Sequence, residues 1–165
     1  MIDRLARGPG AVRALVAVLD PEDHAWRPGD ADWSALEIVC HLADEEEEDF
    51  PVRLELLLHN PAQAWPPIDP EGWATERGYR ARSMPAELER YERVRAERLR
   101  WLRSMGAVDW GAVKSHSVFG SMRAGDMLAA WAAHDALHLR QLTRRIYQAT
   151  LRDAGGFTAE YAGRW

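Results

Sequence analysis

Apolar residues recur at helical spacing along most of this chain and nowhere alternate with period two over the length of a strand. Between Ile2 and Leu19, the residues Leu5, Val12, Leu15, Val16 and Leu19 fall on one side. The "GPG" at 8–10 disturbs the start of that run, so the pattern predicts a helix mainly from about Pro9 onward. "DPEDHAWRPGDAD", dense in Pro, Gly and Asp, reads as a loop. Ser34 with Glu37 three residues on has the capping-box pattern, and it opens a second helix from Ala35 towards Leu58. Pro51 lies inside that run and should kink or divide it. "HNPAQAWPPIDPEGWAT" is the longest irregular stretch, its prolines excluding regular helix. A third helix begins at Ser83, with Pro85 in its first turn and Glu87 near it, and ends around Met105–Gly106. "AVDWGAVKSHSVFGSMRAG" then reads as a loop, and a fourth helix starts near Ala124 and runs beyond Tyr147. Four long helices and long connecting loops predict an all-α, antiparallel four-helix bundle, whose order need not be up-down-up-down.

Length and composition sharpen this reading. A chain of 165 residues fits a single domain spanning 1–165, with 47% hydrophobic and 28% charged residues in the range of a soluble globular protein. A formal net charge of -5 argues against nucleic acid as the main partner. No stretch approaches the roughly 18 to 20 apolar residues that span a bilayer, so no membrane partner is expected. "MIDRLARGPG" lacks the apolar centre of a signal peptide, and the single cysteine, Cys40, excludes an internal disulfide; both point to the cytoplasm. Eight tryptophans are unusual, and several flank loops, where they would anchor connections or line a cleft.

Candidate chemistry sits on two of the helices. In "HDALH", His134 and His138 are four residues apart and so share a helix face, a common way to give a transition metal two ligands. On a wheel, His138 lies in the stripe of Met127, Leu128, Trp131, Leu139, Leu142 and Ile146, and His134 at its edge. Asp135 also falls in the stripe and needs a partner if buried. The HExxH zincin motif is excluded, because Asp135 stands where its Glu would be and no histidine follows His138. On the second helix, "EIVCHLADEEEEDF" sets Glu37, Asp44, Glu45 and Glu48 on the face of His41. Most of that acidic run reads as a solvated surface. The apolar stripe of this helix (Leu36, Val39, Ala43, Leu54, Leu57) points nearly opposite His41, so periodicity alone turns His41 towards solvent. Cys40, about 100° round the helix from His41, reads as a buried and inert thiol. His24, His59 and His116 sit in or beside loops, and the loop of His116 precedes the fourth helix.

Together, "DWSALEIVCHLADEEEEDFPVRL" and "VFGSMRAGDMLAAWAAHDALHLRQLTRRI" resemble the DinB/YfiT-like superfamily. The resemblance rests on Trp33-Ser34, His41-Leu42 with Asp44, Phe119-Gly120, and His134-Asp135 with His138 and Gln141, in order from about Ala11 to Ile146. It implies a four-helix bundle holding a divalent ion (nickel, zinc or iron) on His41, His134 and His138. It further implies transfer of a low-molecular-weight thiol, of the bacillithiol or mycothiol type, to an electrophile. Metal-dependent hydrolysis and a non-catalytic, metal-binding stress-response bundle are the alternatives. Asp44 or Glu45 would accept the proton in catalysis, Asp135 would orient a ligand histidine or cap the neighbouring loop, and the chain would form a homodimer. The acidic run after His41 and the position of Pro51 depart from the family pattern.

Overall fold

A computed structural model describes residues 1–116, 120–163 and 165. Its helices are α1 (Ile2–Val16), α2 (Ala35–Glu48), α3 (Phe50–His59), α4 (Pro70–Glu76), α5 (Met84–Ser104) and α6 (Ala124–Asp153). Strands β1 (Val113–His116) and β2 (Gly120–Arg123) form a short antiparallel hairpin, with Val113 opposite Arg123 and His116 opposite Gly120. α1 packs against α5 and α6, and α2 packs against the same two helices. Going round the bundle the order is therefore α1, α5, α2–α3, α6, and the sequence neighbours α1 and α2 lie across a diagonal.

Several boundaries follow local chemistry. Ser34 Oγ accepts from the Glu37 amide at 3.2 Å while Glu37 Oε2 accepts from the Ser34 amide at 2.9 Å, a complete capping box that starts α2 where expected. Pro51 does divide the second helix: Asp49, at φ -113° and ψ -88°, separates α2 from α3. The connections are less irregular than expected. The segment from Asn60 to Ser83 contains α4, because Pro70 stands in its first turn, where a missing N–H costs nothing, and Asp69 caps it by accepting from the Gly72 amide at 3.0 Å. The expected loop before α6 contains the hairpin, whose four-residue strands are too short to register as alternation. Of the Phe119-Gly120 pair, Phe119 lies outside the described residues.

The main departure is α1, which runs through Pro9 instead of starting there. Pro9 has no N–H for the Leu5 carbonyl one turn back, and an interior proline normally costs a helix about 3 kcal/mol. Here Arg95 Nη1, from α5, donates to that carbonyl at 2.8 Å. The device recurs at Pro51, whose absent N–H would have met the Glu47 carbonyl: Arg98 Nη2 donates there at 3.4 Å, and Arg98 Nε donates to the Glu46 carbonyl at 3.0 Å. Arginine N–H groups thus replace the helix donors that proline removes.

Arg95 is buried and also forks onto Asp135 of α6, Nη1 to Oδ2 at 2.7 Å and Nη2 to Oδ1 at 2.8 Å. Its Nη2 reaches Glu46 Oε1 of α2 at 2.7 Å, and the same oxygen accepts from Trp131 Nε1 at 2.5 Å. One guanidinium on α5 therefore meets α1, α2 and α6. Gly8 makes room for it, since a Cβ there would stand 2.5 Å from Asp135 Oδ2. This polar layer cuts the core in two. Leu5, Phe50, Leu54, Leu99 and Trp131 pack on one side, and Val12, Val39, Tyr91 and Leu142 on the other.

The acidic run of α2 is likewise only partly a solvated face, with Asp44, Glu45 and Glu46 buried and Glu48 exposed. Glu37 pairs with Arg27, Asp44 with Arg77 and Arg90, Glu46 with Arg95, Glu47 with Arg90, Glu48 with Arg77 and Asp49 with Arg53. Residues Ala35 to Glu46 are all buried. Arginines from other elements make that burial tolerable by matching each of those carboxylates.

Two substitutions test the layer by urea denaturation. Arg95→Met should cost about 3–5 kcal/mol, because it leaves Glu46 and Asp135 buried without their cation. Gly8→Ala should destabilise by about 1 kcal/mol even though alanine is the better helix former by a similar amount, since the added methyl collides with the pinned Asp135 carboxylate.

Candidate metal centre

α2 and α6 bring three histidines to one point. His134 Nε2 lies 3.3 Å from His41 Nε2 and 3.0 Å from His138 Nε2, and one ligand atom from each ring falls within 4.8 Å of the others. Zinc–imidazole distances of about 2.0–2.1 Å place ligand nitrogens roughly 3.0 Å apart at right angles and roughly 3.4 Å apart at the tetrahedral angle. The two observed separations match that range, so the donor set fits a small divalent cation. His41 is 4% exposed, contrary to the solvent-facing position that periodicity suggested. α2 is buried round nearly its whole circumference, and its apolar stripe therefore does not define the only inward face.

The rings are held neutral, as ligation requires. Burial, followed by the neighbouring His138 and His134 rings, pushes the His41 imidazole down to about 2. Burial, then His138 and the Arg95 cation, lowers His134 to about 3. Burial also lowers His138, against the opposing pull of Gln141 and Asp135. His138 Nδ1 lies 2.6 Å from Gln141 Oε1; the proton on Nδ1 donates to that oxygen, which leaves the Nε2 lone pair facing the other two rings. Trp33 and Phe50 wall the cluster, each with its ring 4.9 Å from a histidine, His41 and His134 respectively.

The two expected carboxylates part company. Asp44 is buried in a different set of contacts: Oδ2 accepts from Arg77 Nη1 at 2.7 Å and Tyr79 Oη at 2.5 Å, and Oδ1 from Arg90 Nη2 at 2.6 Å. Among the described residues, every side-chain hydrogen bond and ion pair of Asp44 runs to these three groups, so its carboxylate oxygens are already engaged. Glu45 lies by the triad, its Oε1 3.8 Å from His41 Nδ1, and neither atom has a hydrogen-bond partner among the described residues. Burial, with the Asp49 charge next, raises the Glu45 carboxyl to about 8. Asp135 is clamped by Arg95, and among the described residues no hydrogen bond ties it to a ligand histidine or to a loop. Cys40 is buried and its thiol is pushed up to about 12 by burial, which keeps it unreactive. His116 sits in β1 with its ring 5.2 Å from Trp65, His59 ends α3, and His24 follows a short turn; none joins the triad. Sequence reasoning gave no role in the site to Gln141, although its i+3 position from His138 was visible.

A cavity of about 800 Å³ has two neighbours of the cluster, Trp33 and Gln141, on its wall, and none of the three histidines is among its lining residues. Among the described residues, no helix is long and apolar enough to cross a membrane.

Comparison with known proteins agrees with this architecture. The sequence model described as the DinB superfamily matches residues 4–142. No curated protein matches the sequence. Among solved structures, YfiT from Bacillus subtilis, described as "a probable metal-dependent hydrolase with an unusual four-helix bundle topology", is similar with a TM-score of 0.78 at 18% identity. The match covers 90% of this chain and 85% of that one, and it shows a shared fold.

Titration with Zn²⁺, Ni²⁺ and Fe²⁺, followed by elemental analysis, should give one ion per chain. His134→Ala should weaken uptake at least a hundredfold, and Gln141→Leu by about ten- to a hundredfold through loss of the Nδ1 anchor. pH offers a second test on the metal-free protein. The three imidazoles titrate near 6.5 when unfolded but are depressed when folded, so protons bind the unfolded chain preferentially and stability falls as pH drops below about 6.5. Glu45, raised in the fold, pulls the opposite way. The difference between His134→Asn and the parent protein isolates one imidazole: between pH 6 and 4 the variant's loss should be shallower by about 1.4 kcal/mol per pH unit.

Proposed function

The chain belongs to the DinB superfamily, and on that premise we propose that it is a divalent-metal-dependent enzyme transferring a low-molecular-weight thiol to an electrophile. The observation that supports a metal-dependent reaction is the convergence of three neutral Nε2 atoms beside a cavity large enough for a small molecule. His41, His134 and His138 would hold the ion and leave coordination positions open, as catalytic sites do. A divalent cation there supplies Lewis acidity that brings the pKa of a thiol or water towards neutrality.

The protein's own groups then have defined tasks. Gln141 Oε1 holds the Nδ1 proton of His138 and so keeps its Nε2 turned inward. Glu45 Oε1 lies 3.8 Å from the Nδ1 of His41, too far to hold that ring by a hydrogen bond as Gln141 holds His138. With Asp44 engaged by Arg77, Arg90 and Tyr79, Glu45 is the carboxyl of the two able to handle a proton, and a pKa of about 8 suits proton exchange near neutrality. In the reaction the thiol loses its proton, its sulfur bonds to the electrophilic carbon, and the leaving group departs with the bonding pair. Trp33 and Phe50 keep an apolar wall on two sides of the rings, which limits access of water.

A second reading, hydrolysis with water as nucleophile, is favoured by the fold shared with YfiT, a protein described as a probable metal-dependent hydrolase. Metal-loaded protein assayed with a cysteine-derived thiol and 1-chloro-2,4-dinitrobenzene, and separately with a p-nitrophenyl ester, separates the two. Thiol conjugation should dominate, and His138→Ala should abolish it together with bound metal. Glu45→Gln should keep the metal, lower kcat by roughly ten- to a hundredfold and remove a limb of the pH profile near 8. Asp44→Asn should lower stability while leaving kcat per folded molecule unchanged. A folded, metal-free His138→Ala protein with full activity would take the ion out of the mechanism. Ester cleavage indifferent to thiol would favour the hydrolase, and a tightly bound ion with neither activity would mark a non-catalytic bundle.

A further inference from the structure

The cavity beside the triad carries chemistry that the histidines do not use. Arg140, Arg144 and Arg145 of α6 line it, with Asp32, Glu71 and Trp165. Trp165 stacks on Tyr147 at 5.6 Å. Two wall residues belong equally to the metal centre: Trp33 packs its ring against His41, and Gln141 holds His138. Along α6, His134, His138, Gln141 and Arg145 follow at i, i+4, i+7 and i+11, which is one helix face. Seven residues at 1.5 Å each set Arg145 roughly 10 Å along the axis from His138.

Arg145 is unusual in its contacts. It is 5% exposed; Nη2 donates to Asp32 Oδ1 at 2.8 Å, while Nε and Nη1 are buried with no hydrogen-bond partner among the described residues. Buried donors left unpaired are costly, and a guanidinium presents five N–H groups in a fork that matches carboxylate and phosphate. Arg140 and Arg144 are exposed, and no acidic side chain among the described residues pairs with either. The acidic residues of α2, by contrast, are matched to arginines almost one by one. Three guanidinium groups against Asp32 and Glu71 leave the cavity wall positive in a chain whose net charge is -5.

We infer that this cavity binds the anionic group, carboxylate or phosphate, of the small-molecule substrate. Arg145 donates to it from the N–H groups that lack a partner, and Arg140 and Arg144 supply charge at the mouth. An elongated molecule anchored there extends past Gln141 and Trp33 towards the histidines. The reaction part of this assignment rests on the metal-dependent reading above, but the binding part does not, because every donor belongs to the protein.

Calorimetric titration at fixed ionic strength tests it, with succinate, inorganic phosphate and uncharged succinamide added to both metal-free and metal-loaded protein. At least one anion should bind both forms, with succinamide at least tenfold weaker. Preference between succinate and phosphate identifies the anion class, and either preference supports the assignment. The double variant Arg140→Gln/Arg144→Gln, at exposed positions, should weaken anion binding about tenfold without affecting folding. Arg145→Lys, which keeps the charge and loses the fork, should weaken it further. Equal binding of succinamide, no binding of either anion at millimolar concentration, or affinity unchanged in both variants overturns the inference. Binding confined to the metal-loaded protein and indifferent to the arginines places the anion on the ion, which overturns the inference and leaves the metal reading standing. Anion binding by a protein that takes up no divalent ion does the reverse.

Discussion

A single buried guanidinium organises this bundle. Arg95 is fixed from four sides, by the Leu5 carbonyl, by Glu46, by both oxygens of Asp135, and by the α5 backbone that carries it. Its desolvation is offset because both Nη groups meet charged or carbonyl oxygens, while Nε has no hydrogen-bond partner among the described residues. The oddities of α1 become intelligible through it. Pro9 frees a carbonyl that Arg95 needs, and Gly8 omits the side chain that would displace Asp135. What reads as a helix breaker in isolation is the receptor for a side chain some ninety positions away in the chain.

The histidine cluster inherits its geometry from that arrangement. Asp135 lies between the two histidines of α6 in sequence, and its clamping by Arg95 sets the rotation of α6 at that point. Glu46 performs the corresponding service for α2, five residues beyond His41. The two helices that supply the three histidines are thus held by the same cation. The positive charge of Arg95 also helps keep His134 unprotonated. Catalytic constellations gain from such preorganisation, because no ordering has to occur at the moment of binding.

Much of this was legible in the sequence, and the gaps have a common physical origin. The capping box at Ser34, the division at Pro51 and the shared face of His134 and His138 are local features, decided by residues within a turn or two. Resemblance of the motifs to a known family added His41, which helical periodicity had turned outward. The misreading of His41 and of the acidic run arose because amphipathicity takes carboxylates as markers of solvent. Here the carboxylates face arginines from α5 and from the segment around Arg77, and no local pattern reveals such long-range pairing. Asp44 was placed beside the histidines for the same reason, since i+3 spacing says nothing about which neighbour a side chain meets first. The Arg145 cavity was invisible because its walls come from four separated parts of the chain.

The layered core has a consequence for how the sequence can change. Two apolar compartments, one around Trp131 and Phe50 and the other around Val39 and Tyr91, are separated by groups that share one network around Arg95. Apolar replacements within a compartment need only conserve local volume, and replacements in opposite compartments share few neighbours, so their effects combine nearly independently. Members of the polar layer have no such freedom, since altering one leaves another buried without its counterpart. Relatives of this chain should therefore diverge as two loosely coupled hydrophobic mosaics on either side of a slowly varying ionic seam.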